Sequence, residues 1–316
     1  MNSRQKQASP PHQHPALPIA ECAVCGTATH SIRVRLLEGA RLASCGRCQS
    51  WTYFPRPKTA DQTAIHDSED YFSHPYFELR RTITPALRRR CRATFDRIGR
   101  AVDLSSLRGE RVLDIGCDTG AFLACAAAEY GIVPVGIDVA DRAVQTARQG
   151  GIEAYRTTVE TAPAALGDFQ LVTAIDVIEH VPDPGAFLHA ILGRLRPGGV
   201  VYLETPNIRS TVYSVGARLS GWGGSALEAV CTRLFPPQHL QYFCKQSLGE
   251  IAERAGFDVI SIETRILPGS DISAGAITRA GLSALQALDR LFGDSILLCA
   301  VLRATHNVPN SSRNVR

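Results

Sequence analysis

The sequence predicts an α/β protein, with a seven-stranded, mostly parallel sheet covered by helices on both faces and a small N-terminal ribbon built on four cysteines. Three observations carry this prediction. After residue 110, short apolar runs alternate with stretches of helical periodicity, and repeated βα units of that kind close into a parallel sheet with helices on both faces. The first of those runs, Arg111 to Ile115, ends in a glycine loop, Gly116-Cys117-Asp118-Thr119-Gly120, that opens a helix. Ahead of it stand two Cys-x-x-Cys pairs, Cys22 with Cys25 and Cys45 with Cys48, nineteen residues apart.

Taken in order, residues 1–20 are polar, proline-rich and aperiodic, and are expected to be a disordered tail. Residues 21–57 form the ribbon, with strand-like stretches at 31–37, 41–43 and 51–54 before the stop Pro55-Arg56-Pro57. Two turns that each present a Cys-x-x-Cys supply the four thiolates of a tetrahedral structural zinc and leave no open position for catalysis. A redox pair or unrelated thiols would not account for two pairs at ribbon spacing. Residues 58–108 hold an aromatic group, Tyr71, Phe72, Tyr76 and Phe77, and then a helix that Thr84 caps and Pro85 starts. Its apolar face is Leu87, Cys91, Phe95, Ile98 and Val102, and its other face is arginine.

The main domain is expected over 109–304. Strands are predicted at 111–115, 133–137, 153–156, 169–175, 200–204, 257–262 and 295–302, with helices at 121–130, 140–149 and 184–195. An insertion at 207–243, with Tyr213, Trp222 and the glycine run from 221 to 224, is read as a cap over an acceptor site. Leu248, Ile251, Ala252 and Ala255 mark a helix ended by Gly256, and Leu282, Leu285, Leu288 and Leu291 mark a second, expected to face the core. Residues 305–316 are read as a second disordered tail.

Composition narrows the partners. The chain has 316 residues, 45% of them hydrophobic, enough for one large core and a small appendage. The longest unbroken apolar stretch, 296–302, is the length of a strand, so no transmembrane segment is expected. Prolines stand where a signal peptide would need an apolar run, which points to the cytoplasm and to ten cysteines kept reduced. The net charge of +4 hides an uneven distribution, because residues 78–100 hold eight arginines against Glu78 and Asp96. The rest of the chain is slightly acidic, so a nucleic-acid partner is disfavoured, although the basic helix keeps it open.

The glycine loop after a strand lets backbone approach a ligand, and the helix behind it offers free N–H groups. Some twenty residues on, Val135-Gly136-Ile137-Asp138 places a carboxylate at the end of the second strand, where it can accept from ribose hydroxyls. A dinucleotide would use the same pair, but the loop lacks Gly-x-Gly-x-x-Gly spacing. Further along the chain stand Val159-Glu160, then Asp176-Val177-Ile178-Glu179-His180-Val181-Pro182-Asp183-Pro184, then Leu195-Arg196-Pro197-Gly198-Gly199. In this order, over residues 110–303, the sequence resembles class I S-adenosylmethionine-dependent methyltransferases. The resemblance implies a Rossmann-like sheet whose last strand is antiparallel, and S-adenosylmethionine as methyl donor. The segment from Asp176 to Pro184, the later Thr205-Pro206-Asn207 and the stretch Pro237-Gln238-His239-Leu240-Gln241-Tyr242-Phe243 are similar to the subgroup of ubiquinone-pathway O-methyltransferases and bacterial small-molecule and glycan methyltransferases. Position by position, the resemblance puts Asp114 and Gly116 at the methionine part, in the loop that runs through Cys117, Asp118 and Gly120. Asp138, followed by Val139, takes the ribose, Val159 and Glu160 edge the adenine, and Asp176, Val177 and Ile178 form the floor below the sulfonium. One residue departs from the pattern, since the family's third loop glycine is Asp118 here.

Methyl transfer from a sulfonium is an in-line displacement, so the protein aligns the acceptor and supplies a base when the acceptor is a hydroxyl. His180 and His239 are the candidate bases. The expected function is therefore methylation of a small-molecule or saccharide acceptor at oxygen. An RNA methyltransferase using ribbon and arginine helix, and a non-catalytic scaffold with a loop spoiled by Asp118, are the alternatives.

Overall fold

The computed structural model describes residues 21–28, 30–36, 40–56, 82–220, 231, 234–268, 276–292 and 294–305. The expected cap residue Trp222 and the aromatic group at 71–77 lie outside them, as do both terminal tails. In the ribbon, β1 (His30–Arg35), β2 (Arg41–Cys45) and β3 (Trp51–Phe54) form an antiparallel meander. Next comes α1 (Pro85–Ile98), capped as anticipated by the Thr84 hydroxyl, which accepts from the Leu87 N–H. Cys91, Phe95 and Ile98 on its inner face are buried, and Phe95 stacks on Tyr130 with ring centroids 4.0 Å apart. Val102 is buried too but lies beyond the helix, which stops at Gly99.

The main sheet is built from β4 (Arg111–Ile115), β5 (Val133–Asp138), β6 (Glu153–Arg156), β7 (Phe169–Ile175) and β8 (Leu195–Pro206), all parallel. Between them run α2 (Ala121–Tyr130), α3 (Asp141–Gln149) and α4 (Pro184–Leu192). The insertion holds α5 (Thr211–Leu219) and the two-residue β9 (Gln241–Tyr242), and is followed by α6 (Lys245–Arg254), β10 (Phe257–Arg265), α7 (Ala276–Phe292) and β11 (Leu297–Ala304). The strand order is β6-β5-β4-β7-β8-β11-β10, with β11 antiparallel to both its neighbours. This is the expected seven-stranded sheet with an antiparallel last strand. Strands β5 and β6 spread to one side of β4 while β7 and β8 lie on the other, so the sheet has its switch point between β4 and β7, where ligands of such sheets bind.

Three features differ from the sequence reading. The helix expected at 184–195 stops at Leu192, and Leu195 already opens β8. The ribbon does not end at three strands, because β9 from the insertion joins its edge, pairing Trp51 with Tyr242 and Thr52 with Gln241. Of the leucine pattern of α7, the two described side chains divide between core and solvent. Leu285 is only partly buried and Leu288 is 43% exposed, whereas Gln286 and Asp289 are buried and bond to the backbone of Leu267 and Thr211. Polar satisfaction of loop backbone decides that helix face, a requirement that apolar periodicity does not register. The side chains of Leu282 and Leu291 lie outside the described residues.

Candidate active site

A cavity of about 530 Å³ opens at the switch point, within the usual range for a small-molecule site. One end is the glycine loop. Gly116 has a φ of +71°, and a Cβ there would stand 2.6 Å from Val177 Cγ2, so only glycine lets β4 turn against the β7 loop. Gly136 on β5 is equally constrained, since a Cβ would lie 2.5 Å from the Cys117 sulfur. Asp118 takes a φ of +51°, the conformation a glycine would hold, and its N–H donates to Asp138 Oδ2 at 2.9 Å. The Ala140 N–H donates to the other Asp138 oxygen at 2.9 Å, which fixes that carboxylate at the rim. The turn therefore survives aspartate at 118.

Gly116, Asp118, Asp138, Val139, Val159, Glu160, Asp176, Val177, His180 and His239 all line this one cavity. Asp114, Cys117, Gly120 and Ile178 stand elsewhere. Asp114 is buried behind the loop and accepts from the Thr173 hydroxyl at 2.6 Å, and burial pushes its carboxyl up to about 7. Cys117 is packed in the core, where desolvation raises its thiol. Gly120 caps α2 in a left-handed turn, and Ile178 is fully buried in the main core. These four shape the wall rather than form it.

At the other end Glu179, His180 and His239 come together, with donor atoms within 4.8 Å of one another. That spacing suits a shared proton or a single divalent cation. His180 Nδ1–H donates to the Gln238 carbonyl at 2.9 Å, which leaves Nε2 as the basic nitrogen. The rings of His180 and His239 meet edge to face at 4.7 Å. Glu179 is 1% exposed, accepts from the Thr205 hydroxyl at 2.8 Å, and its Oε1 has no hydrogen-bond partner among the described residues. Desolvation, reinforced by the Asp176 charge, holds this carboxyl well above the ordinary range. Leu267, Leu297, Pro206 and Val181 give the same end an apolar lining.

Sequence reasoning missed the contribution of α1. Arg90 reaches into the cavity wall and donates to Asp176 Oδ2 at 3.0 Å and to Glu204 Oε1 at 2.6 Å. Asp176 itself has a φ of +59°, an uncommon backbone state that Arg90 helps to hold. Glu204, fully buried on β8, also accepts from Arg265 at 2.8 and 2.6 Å and from Tyr202 Oη at 3.0 Å. Burial alone would raise its carboxyl, but Arg90 and Arg265 pull it well below the usual carboxylate range. Elsewhere on α1, Arg88 and Arg92 pair with Glu129 on α2, and Arg97, with Arg100 just past the helix end, pairs with Glu263 on β10. Five of the arginines in this stretch, Arg88, Arg90, Arg92, Arg97 and Arg100, thus pair with intramolecular acids. No signal in a single sequence announces those partners, which lie 37 or more positions away.

The four ribbon cysteines form the second cluster. Cys22 and Cys48 sulfurs are 3.6 Å apart and Cys25 and Cys45 sulfurs 3.5 Å, and all four lie within 4.8 Å of one another. A zinc with Zn–S bonds of about 2.3 Å needs sulfur separations of about 3.8 Å, so the set fits a tetrahedral ion. Hydrogen bonds from Cys48 and Ser50 hold the Cys22 thiol below its ordinary range, while the same contact pushes Cys48 up, so without a metal the Cys22–Cys48 pair shares one proton between its sulfurs.

A glycine loop at a switch point, a ribose-side acid and the order of the strands define a class I, Rossmann-like S-adenosylmethionine-dependent methyltransferase fold. The chain belongs to the methyltransferase-domain family, whose model matches residues 85–262, more than half its length. Among curated relatives, the ubiquinone biosynthesis O-methyltransferase of Paracidovorax citrulli is 29% identical over 197 residues, covering 56% of this chain and 79% of the relative. That of Bordetella avium is 38% identical over 109 residues, covering 32% of this chain and 45% of the relative. Most of these matches span about half of the relative or less. Among solved structures, the Haemonchus contortus phosphoethanolamine N-methyltransferase 2 in complex with S-adenosyl-L-methionine superposes with a TM-score of 0.53 at 18% identity, over 81% of this chain and 62% of that one. An S-adenosylmethionine-dependent methyltransferase of Archaeoglobus fulgidus gives 0.50 at 19% identity, over 72% and 99%. At these identities the structures speak to the fold alone. Among the described residues no helix is long and apolar enough to cross a membrane.

Proposed function

We propose that this chain transfers the methyl group of S-adenosylmethionine to a hydroxyl oxygen of a small-molecule acceptor. The observation that carries the reading is the single cavity that runs from Gly116 and Asp138 to the Glu179, His180 and His239 cluster. The bound cofactor supplies an electrophilic methyl at a sulfonium. Backbone at Gly116 and Asp118 would hold its amino-acid part, Asp138 its ribose, and Val159 with Glu160 its adenine. Asp176 and Val177 would lie beneath the reacting atoms. Beyond them His180 Nε2, its tautomer set by the Gln238 carbonyl, takes the hydroxyl proton, and His239 and Glu179 complete the polar end. The apolar lining suits an acceptor whose hydroxyl is carried on a flat or hydrophobic body more than a highly hydrated glycan. The ubiquinone-pathway names of the relatives support oxygen as the accepting atom. The ion pairing of α1 with Glu129, Glu263 and Glu204 speaks against a phosphate-gripping arginine stripe. The ribbon would hold structural zinc, and a reducing compartment such as the cytoplasm suits its thiolates.

Two measurements test the proposal. Calorimetry with S-adenosylmethionine should show binding, and a tritiated-methyl assay over a panel of hydroxylated small molecules should show transfer that Asp138→Ala abolishes. Absence of binding to the wild type would refute the donor assignment. Activity strictly dependent on an added divalent cation would reassign the Glu179, His180 and His239 cluster from proton transfer to metal binding.

A further inference from the structure

The ribbon is joined to the acceptor half of the cavity by a chain of buried hydrogen bonds. Strand β3 pairs with β9, and the Tyr53 N–H donates to the Leu240 carbonyl at 3.0 Å. Across this pair the Thr52 hydroxyl donates to Gln241 Oε1 at 2.9 Å, with both residues at or below 1% exposure. On its other side the same segment is clamped to the catalytic loop, because the Leu240 and Gln241 N–H groups both donate to the Glu179 carbonyl, at 2.8 and 3.1 Å. Gln238, whose carbonyl sets the His180 tautomer, and His239 are the residues immediately before this clamp. A second tie comes from the end of the ribbon, where Arg56 Nη1 donates to the Pro182 carbonyl at 2.8 Å, two residues past His180.

The cysteine turns are anchored just as firmly. Arg254 and Gln246 of α6 donate to the Val24 and Arg47 carbonyls, Arg47 pairs with Glu250 at 3.1 Å, and the Cys244 thiol donates to the Cys48 carbonyl. Cys244 is two residues past β9. The metal-binding turns, β3, β9 and the histidine pair thus form one continuous hydrogen-bonded body.

We infer that the ribbon braces the active site from behind and is not an independent appended module: Thr52 and Gln241 are positioning residues that set the placement of His239 and His180. The physical reason is that the segment 238–241 makes its backbone bonds to β3 and to the Glu179 carbonyl, so releasing the β3 side frees it to shift against the loop that bears His180. The inference adds to the proposed function an assignment of the ribbon, and it rests on that reading only for naming the histidines catalytic.

The test uses full-length protein labelled with ¹⁵N-histidine, whose imidazole signals for His180 and His239 are assigned from His180→Gln and His239→Gln. Spectra are compared among the wild type, Thr52→Val, Arg56→Gln and the metal-ligand variant Cys25→Ser, with zinc content, circular dichroism and calorimetric affinity for S-adenosylmethionine measured on each. The expected result is that all three variants move the His180 and His239 signals. His189, exposed near the C-terminal end of α4, should stay in place and cofactor affinity should stay within about twofold of wild type. Unmoved His180 and His239 signals in folded Thr52→Val and Arg56→Gln would overturn the inference, as would a loss of cofactor affinity parallel to the histidine shifts. Arg56 is exposed, so its variant keeps the test decisive should Thr52→Val fail to fold. Failure of the wild type to bind S-adenosylmethionine would count against the proposed function alone, because the histidine signals are read without cofactor.

Discussion

The buried carboxylate of Glu204 offers the most quantitative check on the structure. It is fully buried and lies between two guanidinium groups, with Arg90 Nη2 at 2.6 Å and Arg265 Nε and Nη2 at 2.8 and 2.6 Å. Glu204→Gln preserves shape but removes the charge and replaces one acceptor with an NH₂ that faces donors. Arg90 and Arg265 are then left close together, with the Arg90–Asp176 pair remaining. Breaking a buried pair by removing one partner costs about 3–5 kcal/mol, because the surviving charges have lost their compensation. For a domain of this size each kcal/mol lowers Tm by about 2–4 °C, so the expected fall is roughly 6–20 °C. Thermal unfolding of Glu204→Gln, Arg265→Gln and the double variant forms a cycle. If the pair is coupled as drawn, the double variant is less destabilised than the sum of the singles by about 1–3 kcal/mol. A Tm within about 2 °C of wild type for Glu204→Gln, or strictly additive singles, would refute the reasoning.

Other parts of the site give further expected outcomes. His180→Ala should lower the methyl-transfer rate about 10²–10⁴-fold, the usual contribution of a positioned general base, with calorimetric cofactor affinity little changed; an undiminished rate would remove it from the mechanism. Asp118→Gly should retain S-adenosylmethionine binding, since Asp118 already occupies the glycine-like turn and donates its N–H to Asp138; if only the glycine variant binds, the natural loop is spoiled and the scaffold reading wins. Asp114 has a folded-state pKa of about 7, raised by burial above its ordinary value, so folding binds a proton between about pH 4 and 7 and stability falls as pH rises through that window. The Tm of Asp114→Asn minus that of wild type should therefore grow from pH 4 to 7 and level off above, and a difference that stays flat across the window would contradict the burial argument. Stripping zinc with a chelator should lower the Tm by a greater margin than any of the single-site histidine changes, because the four cysteines lie in the same core cluster as Leu248 and Ile251; an unchanged melt would show that the ribbon stands without metal.

The order of strands and helices could be read from the chain because it rests on local rules: periodicity, the Thr84-Pro85 start, and glycines where backbone must turn. Arg111–Ile115, Glu153–Arg156 and Phe169–Ile175 lie where the strand and helix alternation predicted them. The same rules placed Gly116, Asp138, His180 and His239 in one site, since strand ends of a parallel sheet converge at its switch point. They failed where the deciding partner is distant in sequence. Whether a leucine stripe faces core, whether an arginine is free or paired, and whether a ribbon is an appendage or a brace depend on contacts across dozens of residues. Arg90 meeting Glu204, Asp289 meeting Thr211 and Thr52 meeting Gln241 are such contacts. By itself the sequence determined the fold, the glycine loop at its switch point and the four-cysteine cluster, all set by short-range spacing. Only the tertiary structure decided that Asp114, Cys117, Gly120 and Ile178 shape the wall without lining it, that Glu179 joins the two histidines, and that the ribbon backs them. Burial and charge compensation are properties of the packed chain, and no local stretch of residues carries them.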